Sequence, residues 1–194
     1  LGNLAQQLPE LLPEALEATR QIQHQFSRAR ILGNLARQFS ELLPEALEIT
    51  RQIQDEYHRA LALGNLAPYL PPELLPEALE ATRQIQDESD RARALTDLAP
   101  HLLPELLPEA LEIMKTFKER YYAAEAWFSL LPRLEELQVS FLSFAAILDT
   151  LAYRKRSELI QNFPTMQNTL TRLGGETTLD RCLQAMAEVC NQWR

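Results

Sequence analysis

The sequence is poor in cysteine (two), glycine (five) and positive charge, with 19 lysines and arginines against 27 acidic residues in 194. Each shortage excludes something. Cys182 and Cys190 lie eight apart on one expected helix, roughly 12 Å at about 1.5 Å per residue. A disulfide needs Cα atoms within about 7 Å, so the two read as reduced thiols of a reducing compartment. A formal charge of −8 and a pI near 5.0 argue against nucleic acid and anionic membrane as partners, since both need a basic surface. No apolar run approaches the roughly 20 residues of a membrane span and no signal peptide is visible. The expected location is the cytoplasm.

Motifs of chemistry are missing too. There is no GxxxxGKS-like loop, no GxGxxG after a strand, no HExxH, no CxxC and no GxSxG, which leaves phosphate cradles, zinc sites and nucleophile elbows unsupported. The histidines, His24, His58 and His101, occupy three different positions of the repeat described next, whereas a ligand ladder would repeat one position. No cofactor, no metal site and no catalytic residue are expected.

What the chain has is repetition. LLPEALEATRQIQ, from Leu74 to Gln86, has near-copies beginning at Leu11 and Leu42, and a decayed one, LLPEALEIMKTFK, beginning at Leu106. A spacing of 31 or 32 residues is that of stacked helical hairpins. LGNLA occurs at Leu1–Ala5, Leu32–Ala36 and Leu63–Ala67, in the second half of a helix, so the chain is expected to start mid-helix as a piece of a longer array.

Most of the twelve prolines recur at fixed repeat positions and mark helix boundaries. In the third unit the first helix is expected from about Asp55 to Tyr69, with small Ala60, Gly64 and Ala67 on one stripe, flanked by Leu63, Leu66 and Leu70. Pro71 and Pro72 close it, and Pro76 suits the first turn of the second helix. That helix carries Leu75, Ala78, Leu79, Thr82 and Ile85 on one face, with Glu77, Glu80 and Gln84 outside. Asp55 and Asp87 stand where caps belong, each four residues before Arg59 or Arg91, which reads as capping plus an i, i+4 ion pair.

After Met114 the pattern erodes: Thr96 becomes Phe128, Ala99 becomes Leu131, and the Pro108 position becomes Ser140. Trp127, Tyr121, Tyr122, Phe141 and Phe144 are expected to seal a wider last core, with a long helix from about Leu134 to Ala152. A basic turn, Arg154–Arg156, is followed by a short helix from about Ser157 to Asn162. Another opens with Pro164 and reaches Arg172, then comes a Gly174–Gly175 stop, and a last amphipathic helix ends with Trp193 as a packing residue. The expected fold is an all-α, right-handed alpha-solenoid: residues 1–133 form the hairpin repeats, the first incomplete, and 134–194 the diverged last hairpin and helical cap.

DEYHRALALGNLAPYLPPELLPEALEATRQIQ and DESDRARALTDLAPHLLPELLPEALEI, with the ending LGGETTLDRCLQAMAEVCNQWR, resemble a bacterial, often cyanobacterial, HEAT- or TPR-like alpha-solenoid family. Its units read close to DExxRAxALxxLAPxLPPELLPEAL. The resemblance implies the C-terminal sensor region of a multidomain signalling protein, such as a STAND-type NTPase with a NACHT or NB-ARC module or a partner of caspase-like effectors. No nucleotide-binding or protease motif of those neighbours occurs in this chain, so that chemistry is implied only for covalently linked upstream sequence.

For recognition, the second helices offer repeated charges: Glu17, Glu48, Glu80 and Glu112, with Arg20, Arg51, Arg83 and Lys115 three residues on, and Glu14, Glu45, Glu77 and Glu109 alongside. One reading is an intra-repeat charge lattice that keeps the array soluble. The other is a groove lining that binds a protein or peptide partner. The expected function is thus a protein-interaction or sensor scaffold without catalysis. A structural spacer or self-assembly module is the alternative. An enzyme with an unrecognised site is the third reading and requires converging ionisable groups that the repeats do not suggest.

Overall fold

The structure, a computed structural model, describes residues 12–137, 140–151, 156–178, 180–181 and 184. The expected LGNLA helix at Leu1–Ala5, both cysteines and Trp193 lie outside the described residues. Within them the protein is all-helical, with no strand.

The helices are α1 (Leu12–Arg20), α2 (Gln25–Ala36), α3 (Leu43–Arg51), α4 (Glu56–Leu66), α5 (Leu75–Arg83), α6 (Glu88–Leu98), α7 (Leu107–Met114), α8 (Arg120–Leu130), α9 (Phe141–Leu151) and α10 (Arg156–Gly174). Short 3₁₀ turns carry the PPEL-type links, as at Ala67–Tyr69 and Pro72–Leu74. The even-numbered helices α2, α4, α6 and α8 stack in a row, each against the next, while α3 packs on α2 and on α4.

Capping explains the starts. Asp55 accepts the backbone N–H of His58 at 2.8 Å, and Asp87 that of Asp90 at 3.0 Å. His24, in the same unit position, accepts from Ser27 through Nδ1 at 3.3 Å, which gives this histidine a structural task. The second helices begin with proline in the first turn, where a missing N–H leaves no bond unmade.

The expected face of α5 is the observed one: Leu75, Ala78, Leu79 and Thr82 are buried, as is Ile85 just past the end of the helix. Thr82 survives in an apolar row because its hydroxyl donates to the Ala78 carbonyl at 3.0 Å, as Thr50 does to Ala46 at 2.8 Å and Thr19 to Ala15 at 2.6 Å. A buried hydroxyl with its bond made avoids the desolvation penalty of an unpaired one. Gly64 permits the close approach of α4 and α6, since a Cβ there would lie 2.2 Å from Asp97 Oδ2.

Four expectations need correction. Arg59 and Arg91 make no i, i+4 pair with their caps. Arg59 donates to the Ile53 carbonyl at 2.8 Å and to Glu56 at 3.1 Å, and Arg91 donates to the carbonyls of Ile85 at 2.6 Å and Gln86 at 3.0 Å. The helix expected from Leu134 starts at Phe141. Residues 134–137 form a turn, and the Ser140 hydroxyl accepts the Ser143 N–H at 3.2 Å. The two helices expected around Pro164 are one, Arg156–Gly174, which runs through Pro164 despite the lost N–H bond and the crowding of its ring against the carbonyl four residues back. Tyr121 is 52% exposed and lies outside the last core, where Phe144, Leu131 and Leu134 are buried with Met166 and Leu170 and Trp127 packs against them; the Phe141 side chain is outside the described residues. Gly175 does stop α10, at φ 73°, with its N–H on the Thr171 carbonyl at 2.8 Å.

Candidate functional site

The charges singled out on the second helices face one another across units. Arg20 grips Glu45 with two bonds of 2.9 Å, Arg51 bonds Glu77, and Arg83 bonds Glu109 at 3.2 Å. Within a helix, Arg51 lies 3.3 Å from Glu48, Arg83 3.6 Å from Glu80, and Lys115 2.6 Å from Glu112. Gln21 caps Glu17 at 3.4 Å, and Gln52 and Gln84 do the same for Glu48 and Glu80. The lattice therefore runs between repeats as well as within them, and the cross-unit half is the one the sequence did not suggest. Sequence reasoning missed this because neighbouring helices, not neighbouring turns, bring the partners together. The Arg20 bond holds the Glu45 carboxyl below the usual carboxylate range, over the opposing effect of burial. Exposed pairs of this sort stabilise little apiece; their effect is to use up the charges they join.

A second set of contacts ties loops to the preceding unit. Glu56 accepts the N–H groups of Gln86 at 3.0 Å and Asp87 at 2.8 Å, and Glu88 accepts those of Lys118 at 3.1 Å and Glu119 at 3.0 Å. The Glu119 N–H, helped by that of Lys118, lowers the pKa of Glu88 against burial; at Glu56 burial raises it, but the two N–H bonds outweigh burial. A lowered folded pKa means stabilisation that is fully present above the ordinary glutamate value of about 4.3 and is lost as pH falls through the lowered one. Burial raises the pKa of Asp90 and Asp97, which acts with the opposite sign. Glu88→Gln should therefore melt a few degrees below wild type at pH 7, and the gap should close as pH falls below about 4. Thermal melts between about pH 3 and 7 that showed a constant gap would refute the assignment.

The first helices carry the more open surface. Between α2 and α4 lies a groove of about 380 Å³ lined by Phe26, Arg30, Gly33, Asn34, Arg37, Gly64, Asn65 and Tyr69. Arg30, Asn34 and Arg37 are spaced along one exposed face of α2, as residues four and three apart on a helix must be. Gly33, whose missing Cβ would come 3.3 Å from Leu66, leaves the floor low. Among the described residues neither arginine pairs with a carboxylate; Arg37 instead sits 5.1 Å over the Tyr69 ring. Farther along the row Arg93 sits 5.3 Å over Tyr57. Tyr57, Tyr69 and Tyr121 are exposed.

No family model, curated protein or solved structure matches this chain.

Apart from Gly64, expected as a packing residue, the groove residues were not among those the sequence singled out, because identity between copies points to the second helices. The signal lay in the opposite property. One unit position reads Arg30, Leu61, Arg93 and Glu125, and such variation among near-identical copies marks a face that packing does not fix.

His58 lies 2.9 Å from its cap, Asp55, and against the Phe26 ring, with centroids 4.3 Å apart. Among the described residues no group of three or more His, Cys, Asp or Glu could hold a metal ion, and no helix is long and apolar enough to cross a membrane.

Proposed function

We propose that the chain is an interaction scaffold, a right-handed alpha-solenoid of hairpin repeats closed by a helical cap, that holds an extended acidic polypeptide along its first-helix face. The observation that carries this reading is the α2–α4 groove, where Arg30 and Arg37 have no carboxylate partner among the described residues of an acidic protein. Arginine and tyrosine together are the side chains that most often anchor protein interfaces. Asn34 and Asn65 supply donors and acceptors for a peptide backbone, and Arg93 beside Tyr57 continues the face into the next unit. The second-helix charges, from Glu17 to Lys115, would then hold units in line and contribute to partner choice only at the rim. As the recognition arm of a larger signalling protein, such a surface needs no reaction of its own.

The test uses a fluorescent peptide of about twelve residues rich in glutamate, with a lysine-rich peptide of equal length as control. Anisotropy should show binding of the acidic peptide alone, weakening steeply with salt. Arg30→Glu with Arg37→Glu should reduce affinity by about tenfold or more, chiefly through association. Equal binding of both peptides, or an unchanged affinity in the double variant, would leave the spacer reading in its place.

A further inference from the structure

The charge ladder ends inside the chain, and a cavity opens where it ends. Arg51 and Arg83 each reach a glutamate 26 residues ahead, Glu77 and Glu109. The same step from Lys115 arrives at Phe141, so Lys115 is left with Glu112 of its own helix. Here α9 begins late. It buries Phe144, Ile147 and Leu151 in the last core and leaves Leu142 80% exposed. Between α7, α8 and α9 remains a cavity of about 590 Å³, walled by Met114, Phe117, Trp127, Leu137 and Ile147, with Lys115 and the Arg120–Asp149 pair among its lining and flanking residues. That volume lies in the range of small-molecule sites, about 300–1,000 Å³.

We propose that this cavity binds one molecule of an amphipathic carboxylate of the fatty-acid class. Its hydrocarbon chain packs between Phe117, Trp127 and Ile147, and its carboxylate meets the Lys115 ammonium, as Glu77 and Glu109 meet the arginines of earlier units. An ammonium has three N–H donors, so Glu112 keeps its bond while the ligand takes another. Burial of the apolar chain supplies most of the affinity, at roughly 25 cal/mol per Å², and the charge selects the head group. The site is separate from the peptide groove: Arg30→Glu with Arg37→Glu leaves it untouched, so each proposal fails or stands alone.

The probe is dodecanoate, titrated into the full chain well below its micelle concentration and followed by calorimetry, with the fluorescence of Trp127 read in a Trp193→Phe background. Saturation at one molecule per chain is expected, with dodecyltrimethylammonium binding at least about tenfold more weakly. Lys115→Glu should weaken dodecanoate by about tenfold while Lys115→Arg retains it. Ala146→Trp, at an exposed position on the cavity lining, should abolish binding with the far-UV circular dichroism unchanged. Lys115→Glu is the arm that does not depend on refolding, because the side chain is 69% exposed. Unsaturable uptake, equal binding of the cationic amphiphile, or indifference to Lys115→Glu would each overturn the proposal.

Discussion

Arg91→Leu is expected to lower the unfolding free energy by about 3 kcal/mol, far more than removal of any arginine in the exposed ladder. Arg91 is only 7% exposed, and its guanidinium donates to the carbonyls of Ile85 and Gln86. Those carbonyls follow the end of α5 at Arg83, where a helix leaves acceptors without partners and favours positive charge. Leucine keeps the volume and removes every donor. Bonds from charged groups contribute about 1.5–3 kcal/mol each, and buried acceptors left unpaired cost about 1–3 kcal/mol. The same guanidinium lies 5.1 Å from the Phe117 ring centroid, adding about 0.5–1 kcal/mol of cation–π attraction. Urea denaturation of Arg91→Leu beside Arg83→Leu measures the contrast. A loss below about 1 kcal/mol at Arg91 would mean that water replaces the guanidinium at the carbonyls, and that the link between α5 and α6 is held by packing alone.

Gly64→Ala is expected to destabilise by about 2 kcal/mol although alanine is the better helix former. The new methyl would stand 2.2 Å from Asp97 Oδ2, 2.9 Å from its Cγ and 3.1 Å from its Cβ. Rotating the carboxylate clears the first contacts but not the last, so α6 must move. Removing the obstacle should reverse the sign. Gly64→Ala with Asp97→Ala is expected to reach or exceed wild type, because mid-helix alanine gains up to about 1 kcal/mol over glycine. It also discards a carboxylate whose pKa burial has raised. Gly33→Ala, meeting only Leu66 Cδ2 at 3.3 Å, should be nearly neutral. Thermal unfolding of wild type, Gly64→Ala, Asp97→Ala and the double variant forms a double-mutant cycle, with Gly33→Ala as the internal control. If the double variant were no more stable than Gly64→Ala alone, the approach of α4 to α6 would depend on something other than Asp97.

How far the residues could be read in advance followed from the range of each interaction. Caps, the prolines that open the second helices and the buried row from Leu75 to Ile85 depend on neighbours within four residues, and the structure holds them as expected, whereas the helix expected to reach Tyr69 ends at Leu66 and tightens into a 3₁₀ turn. The partners of Arg59 and Arg91 are carbonyls, which every residue owns, so no letter pattern points to them. Pro164 looks like a helix start and is an interior residue. The late start of α9 turns on which core Phe144 and Ile147 enter, a tertiary choice. The α2–α4 groove depends on two helices meeting over Gly33, a meeting that neither helix announces alone.

The cross-unit pairs also give the array a direction. Every joint has a donating side and an accepting side, Arg51 to Glu77 and Arg83 to Glu109 in the same sense, so any internal unit fits between any two others without a mismatched junction. A duplication or deletion of a whole period is then close to silent for its neighbours, and the number of units is free to drift while the joint is kept. In the sequence Phe141 stands where the next acceptor belongs, and with Lys115 at the donor position and Ser140 in place of the repeat proline it is one of several changes at which the pattern of joints stops.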